Sequence, residues 1–402
     1  MSVLRDGLFA RFMLAEFVSM IGAWMQTQAQ QFLVEERAHT SMQQALVSFS
    51  LMIVIPFFGP WGGTLADRAD KRRILFVVLA VQATLAATMG VLVQGQWWTF
   101  WHLTIVAIAL GISHGFEGPA YSALLPQLVP REKLGAAVAL DRSIFHAARI
   151  IGPAAAGIMV AHLGTASAFY ANALSFIFPL LILCTVPPRP RGTAEQESRR
   201  RTGFADGWRH VRNDPPTFRM IEIMVANSLF CSPFVVILLT FYARRTLGMD
   251  ALEVGWLMSL TGIGALSASF ALLAIPHRLR LLFLRLGAVL AGAAMFALAL
   301  AQTFAMAAVA FATLALGLNF LFGIGNQIVQ ERSPDEIRGR VSAVANLSFL
   351  AVVPISGILA AALDIWLGMR TALVVCASCY AVTAFCILGR RWPENSPTPP
   401  QA

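Results

Sequence analysis

Several charged side chains lie inside long apolar segments of this sequence. Glu16 and Glu117 fall in two such segments. Arg142, His146 and Arg149 fall in a third, on roughly one face if it is helical. A charge in hydrocarbon is expensive, so each is a candidate functional residue. We predict that Glu117, or else Glu16, exchanges a proton beside a water-filled cavity that the basic face lines, with Arg149 as the counter-ion of Glu117. The alternative is a fixed ion pair that only holds two helices together.

Neutral polar and aromatic side chains within the apolar segments are candidates for contact with a bound small molecule. The candidates are Gln26, Gln30, Asn227, Phe230 and Asn319. Amides offer hydrogen bonds without charge, and aromatic rings offer a large apolar surface. Two alternatives stay open: the glutamines lie only near the outer surface, and the aromatic ring faces lipid or core.

A short charged stretch separates the second and third apolar segments. It reads Gly63-x-x-x-Asp67-Arg68-x-x-Lys71-Arg72. We predict a glycine turn followed by Asp67, whose carboxylate points at the N-terminus of a helix that begins near Pro334, because free N–H groups there favour negative charge. This contact would hold the inner mouth of a cavity shut, while the bases face anionic lipid headgroups. The alternative is a loop whose positive charge only sets the topology.

The composition predicts that these segments cross a membrane. Hydrophobic residues make up 57% of the chain and charged residues only 13%, whereas soluble domains carry about a quarter charged residues. The net charge of +9 follows from bases in cytoplasmic loops, so no nucleic acid is expected. The five cysteines lie in apolar runs without the partners of a zinc site. We therefore expect no metal and no cofactor, and we find no Walker-type phosphate loop in the sequence.

Hydropathy predicts twelve membrane-spanning helices in two bundles of six. Their approximate bounds are 11–34, 44–66, 74–94, 100–124, 136–160, 166–186, 219–243, 252–275, 281–301, 304–330, 339–363 and 369–388. The bundles are predicted at 1–186 and 219–390, with a cytoplasmic linker at 187–218 that contains an amphipathic helix near Phe204 and a disordered cytoplasmic tail at 391–402. Bases concentrate in alternate loops, which places both termini in the cytoplasm.

The two predicted bundles look like copies of one ancestor. A shift of 204 residues superposes Pro130 on Pro334 and Leu163-Gly164 on Leu367-Gly368. A duplicated set of six spans is typical of transporters whose binding site lies between the two bundles. A channel does not need this duplication.

The charged stretch resembles the signature loop of the major facilitator superfamily. The segment Arg149-x-x-Gly152-Pro153-x-x-x-Gly157 resembles the Gly-Pro motif of that superfamily's antiporters, and Trp24-Met25-Gln26-Thr27 is similar to its bacterial efflux branch, which includes enterobactin and macrolide exporters. The resemblance covers nearly the whole chain. It implies an all-α, twelve-helix fold in the bacterial inner membrane.

Three departures from the superfamily pattern matter. Asp70 stands where the loop usually has glycine, so a stiffer turn is expected. The fourth span lacks the arginine of many proton antiporters, and the matching second-half loop, 276–280, has no acid. Gly152-Pro153 is expected to break the fifth helix and to pack it on a second-half helix along the cavity wall, the alternative being an ordinary kink.

Together these features predict a monomeric secondary transporter that exports a small amphipathic molecule, drug or siderophore-like, by proton antiport. The alternatives are an importer or a lipid flippase of the same fold. A membrane-embedded enzyme is the alternative from another class, but no nucleophile or metal motif of that kind is present in the sequence.

Overall fold

The computed structural model describes residues 7–37, 40–186, 204–334 and 336–390. Within these ranges every regular element is helical, which confirms the all-α prediction. The predicted tail at 391–402 and residues 187–203 of the predicted linker lie outside the described residues.

The described residues contain seventeen α-helices. In chain order they are α1 Gly7–Arg37, α2 Ser41–Arg68, α3 Lys71–Gln94, α4 Phe100–Leu124, α5 Leu134–Leu163, α6 Thr165–Ser175, α7 Ile177–Thr185, α8 Phe204–Asn213, α9 Pro215–Phe230, α10 Ser232–Val236, α11 Leu239–Phe241, α12 Ala251–Ala274, α13 Arg280–Leu300, α14 Phe304–Glu331, α15 Arg338–Leu350, α16 Val352–Leu367 and α17 Met369–Leu388. The helix predicted near Phe204 is confirmed as α8.

Eleven of the predicted spans appear as helices or helix pairs long and apolar enough to cross a membrane, among the described residues. The seventh differs, because it is divided into α9, α10, α11 and a π-helical turn at Tyr242–Thr246. Pro233 has no N–H to donate and its ring disfavours a continuous helix. Ile237 and Leu238, which lie at the break, are fully buried. Their N–H groups both donate to the Pro233 carbonyl, at 3.0 and 2.8 Å.

The described residues form two compact units, one within 1–192 together with Ala243–Ser259, and one within 193–242 together with the described residues from Leu260 onward. Residues 243–259 thus belong to the first unit although they come from the second half of the sequence. Their contacts explain this: Arg244 and Arg245 bind Glu35 of α1, and the Ser259 hydroxyl donates to the Ile150 carbonyl of α5 at 2.5 Å.

The first unit has two apolar clusters. One surrounds Phe12 and Leu79, and the other surrounds Met89 and Phe169. Helices α2 and α4 pack closely, since a Cβ on Gly62 would meet the Gly115 backbone.

In the second unit, the start of α16 packs on the end of α9. The Ser356 hydroxyl donates to the Ser228 carbonyl at 2.9 Å. At the end of this unit that the loop charges predict to be cytoplasmic, Arg332 after α14 binds Asp214, the N-cap of α9, at 2.6 Å.

Local geometry repeats at the interval predicted from the sequence. Gly164 and Gly368 both have φ of 79°, and their N–H groups bond to Val160 and Asp364 four residues earlier. The N–H groups of Lys133 and Ile337 donate to the carbonyls of Pro130 and Pro334, three residues earlier, at 3.0 and 3.1 Å. Equivalent positions thus adopt equivalent backbone geometry, as expected for a duplicated set of spans.

Candidate functional site

Four helices of the first unit bring three acids to its interior. Glu117 of α4 accepts a hydrogen bond from the Gln82 amide of α3 at 2.7 Å, and Asp141 of α5 accepts one from the Tyr121 hydroxyl at 2.7 Å. Glu16 of α1 completes the set, and we call these three acids the acidic cluster. Sequence reasoning missed Gln82 and Tyr121; a buried amide within the apolar third segment was the available signal for Gln82.

Glu16 is the most buried acid of the cluster. It is 9% exposed, whereas the Glu117 side chain is 25% exposed. No Lys, Arg or His lies at ion-pair distance from Glu16 within the described ranges. Of the two predicted proton carriers, Glu16 therefore has the more enclosed position, although the sequence favoured Glu117.

Arg149 is not the counter-ion of Glu117, which corrects the prediction. Its guanidinium lies over the Trp24 ring, 5.8 Å from the centroid, while the basic group nearest Glu117 is His114, at 3.9 Å. Trp24 offers a π face that attracts a cation. His146 packs edge-on against Phe145.

The charged stretch is more helical than predicted. Gly63 lies within α2 and forms no turn, because α2 continues through Asp67 to Arg68. Asp67 is exposed in the last turn of α2, and its predicted contact with the eleventh span stays a prediction.

The break between α2 and α3 consists of Ala69 and Asp70 only. Asp70 caps α3 by accepting from the Arg72 N–H at 3.0 Å, so it replaces the usual glycine without strain. The Arg72 guanidinium donates to the Val186 carbonyl after α7. Lys71 is the first residue of α3.

The Gly-Pro motif does not break the fifth helix, contrary to prediction, because α5 is continuous through Pro153. Packing on a second-half helix is observed at the other end of the motif: a Cβ on Gly157 would lie 2.7 Å from the Ala251 carbonyl oxygen of α12. Gly152 instead contacts Trp24 of α1. The motif therefore packs α5 closely on two neighbours.

The four amide side chains predicted to contact a small molecule differ in whether they already have hydrogen-bond partners. The Gln26 oxygen accepts from the Asn172 amide at 2.6 Å, and the Asn319 amide donates to its own helix at Ala315, so both already have structural partners. In contrast, the Gln30 nitrogen and the Asn227 oxygen are buried without a hydrogen-bond partner among the described residues.

Phe230 is half-buried at the last position of α9, beside the break in the seventh span. Its predicted role in binding a small molecule stays a prediction.

An ion-pair cluster around the buried Glu35 carboxylate in the first unit was missed from the sequence. The Glu35 carboxylate, 6% exposed, pairs with Arg244 at 2.6 Å and with Arg245 at 2.8 Å. Arg245 also donates to the Glu35 backbone carbonyl at 2.9 Å. We call these three residues the Glu35 clasp. All three residues lie near the ends of predicted spans, where charged residues are common. Their positions in the sequence therefore did not indicate that they form ion pairs with one another.

Asp214 and Arg332 form a second strong pair, outside the spans. Burial alone raises the Asp214 pKa, but hydrogen bonds from Arg332 and Thr217 outweigh it and hold this pKa below its ordinary value. The same pair raises the pKa of Arg332. Both groups are therefore charged at neutral pH.

The repeat, the long apolar helices and the enclosed acids define a multi-pass membrane transporter. A family profile described as "transmembrane secretion effector" matches residues 1–398. The chain belongs to this family of the major facilitator superfamily, which confirms the resemblance.

Characterised proteins and a solved structure are similar to the chain. The multidrug efflux pump Tap of Mycobacterium tuberculosis is 24% identical over 361 residues, covering 86% of this chain and 84% of Tap. Macrolide efflux protein A of Streptococcus pyogenes is 26% identical over 142 residues, covering 35% of each chain. A bacterial homologue of the human lysosomal transporter Spinster has a similar fold, with a TM-score of 0.75, 13% identity, and coverage of 97% of this chain and 99% of that one.

Proposed function

We propose that this protein exports a small amphipathic molecule, drug or siderophore-like, in exchange for protons. One observation carries the proposal: Glu16 is 9% exposed in a membrane-spanning helix, and no base pairs with it among the described residues. An ionised carboxylate at this depth is costly, and uptake of a proton removes that cost. A carboxyl that binds a proton in one conformation and releases it in another couples transport to the proton gradient.

Alternating access supplies the two conformations in this proposal. The duplicated bundles rock about a shared cavity, Asp67 latches the inner mouth, and the Glu35 clasp ties α1 to Arg244 and Arg245 at the predicted outer ends. Gln30 and Asn227, each with an unused buried amide atom, contact the substrate. The protein acts as a monomer in the bacterial inner membrane, with both termini cytoplasmic, and it carries its substrate without a chemical reaction.

The export direction is supported by the Gly-Pro motif and by relatives named for efflux. An importer or a lipid flippase of the same fold is the alternative. Efflux of fluorescent amphipathic dyes and of siderophores from cells, with and without a protonophore, separates these functions. We expect protonophore-sensitive loss of one such compound from cells that make the protein.

Matched variants test the residues. Glu16→Gln, Glu117→Gln and Asp67→Asn are compared with Glu132→Gln, which removes an exposed acid before α5. We expect Glu16→Gln to abolish the part of the efflux that the protonophore inhibits. Glu117→Gln and Asp67→Asn are expected to reduce this part of the efflux, and the control Glu132→Gln is expected to leave it unchanged. Uptake in place of loss, or equal efflux without a proton gradient, contradicts antiport export.

A further inference from the structure

Helix α8 has a cationic face that the described chain leaves uncovered. Trp208 is 44% exposed, and Arg209 and Arg212 are exposed beside it. Neither arginine forms a hydrogen bond or an ion pair with another described residue. At 100° per residue, Trp208, Arg212, Arg209 and Asn213 occupy one continuous arc of the helix.

The opposite face of α8 is fixed against α15. A Cβ on Gly207 would lie 2.8 Å from the Arg340 backbone carbon, and Val211 is fully buried, at 0%. Asp206 lies at the edge between the two faces, and its carboxylate accepts a hydrogen bond from Arg340 at 3.0 Å. These contacts hold α8 in one rotational setting, so the tryptophan and the two arginines always face away from the unit.

The position of α8 along the unit is also fixed, at the level where spans begin. Only Asp214 separates α8 from α9, and Asp214 is held by Arg332 at the end of α14. Arg340, which anchors α8, lies in the first turn of the span Arg338–Leu367. The helix therefore lies at the boundary between hydrocarbon and water.

We propose that this face of α8 binds the headgroups of anionic phospholipids in the membrane that the protein spans. Tryptophan is enriched at the headgroup level, where its ring is buried and its N–H is hydrated. Arginine forms paired hydrogen bonds with phosphate. Arg209 and Arg212 bind lipid phosphates, and Trp208 inserts between the headgroups. The predicted topology makes this the inner leaflet, and the binding does not depend on what is transported.

Hydrogen exchange in lipid nanodiscs tests the surface. The full-length protein is placed in discs of phosphatidylcholine alone or of an equal mixture with phosphatidylglycerol, and exchange is followed in peptides that cover 204–213. Two arginines near an anionic surface favour docking by about 30-fold, so we expect the α8 amides to exchange more slowly in the anionic discs, by up to that factor.

Two double variants make the test specific. Arg209→Gln with Arg212→Gln is expected to remove the lipid dependence, while exchange in α14 stays unchanged and shows that the unit is folded. The control Arg131→Gln with Arg278→Gln removes the same amount of charge from exposed positions in other predicted cytoplasmic loops. In this control the α8 amides are expected to keep their slower exchange in the anionic discs. Equal α8 exchange in both lipids, or loss of the dependence in the control, overturns the proposal and leaves a face that only water covers.

Discussion

Replacement of Glu35 by glutamine is expected to destabilise the protein by about 1–3 kcal/mol. Loss of one member of a fully buried ion pair costs about 3–5 kcal/mol, because the remaining charge is left without a partner. Here the arginine side chains are 32% and 45% exposed, so water compensates part of that loss. Glutamine keeps the volume and one acceptor oxygen, which places the expected cost at the lower end.

The assay is equilibrium unfolding of the purified protein in mixed detergent, followed by far-UV circular dichroism. Glu36→Gln is the matched control, because Glu36 is the next residue of α1 and is exposed; it is expected to change the free energy of unfolding by less than about 0.5 kcal/mol. A double-mutant cycle with Arg244→Gln should give a coupling energy of roughly 1–2 kcal/mol.

Two results refute the reasoning about the Glu35 clasp. The first is equal stability of Glu35→Gln and Glu36→Gln. The second is strict additivity of Glu35→Gln and Arg244→Gln, since groups that bind each other cannot be independent.

Three further predictions concern single positions. Gly157→Ala should lower stability by about 1–3 kcal/mol by overpacking α5 against α12, whereas Gly135→Ala, in the same helix but with nothing within 4 Å of its Cβ, should not; thermal unfolding compares them. Gly164→Ala and Gly368→Ala should each cost about 1–3 kcal/mol, since φ of 79° with ψ above 150° is nearly restricted to glycine; unequal unfolding midpoints would argue against equivalent turns. Asp214→Asn should lower the midpoint at neutral pH by an amount that shrinks with acidification: a depressed carboxyl pKa stabilises the fold above the unfolded value of 3.8 and ceases to do so as pH falls through the lower folded value.

The sequence predicted the features that depend on local backbone requirements. A glycine with positive φ at both Gly164 and Gly368 ends one helix and begins the next within a single residue, so the repeat was visible as spacing alone. The length and hydropathy of most spans follow from the thickness of hydrocarbon, which constrains every helix in the same way.

Features that depend on neighbouring helices were predicted less well. Pro153 was expected to break α5, and Gly63 was expected to form a turn, yet both lie inside continuous helices. Neighbouring helices and local backbone adjustments compensate for the hydrogen bond that a proline removes, so proline is tolerated in membrane helices. Pairing over long separations was also invisible: Glu35 and Arg244 are 209 positions apart.

The broken seventh span connects these observations. Its helix is interrupted at Cys231 and again at Ile237 and Leu238, and all three residues are fully buried. Irregular backbone within a membrane protein persists only where protein or a cavity surrounds it.

The chain then passes from the second unit to the first between Tyr242 and Ala243, inside the π-helical turn. On the one side of this turn α9 packs with α16 in the second unit, and on the other side Arg244 binds Glu35 in the first unit. We expect Pro233→Ala, which restores a backbone donor where the helix is interrupted, to reduce the coupling energy between Glu35 and Arg244 in the same double-mutant cycle. An unchanged coupling energy would show that the interruption does not position Arg244.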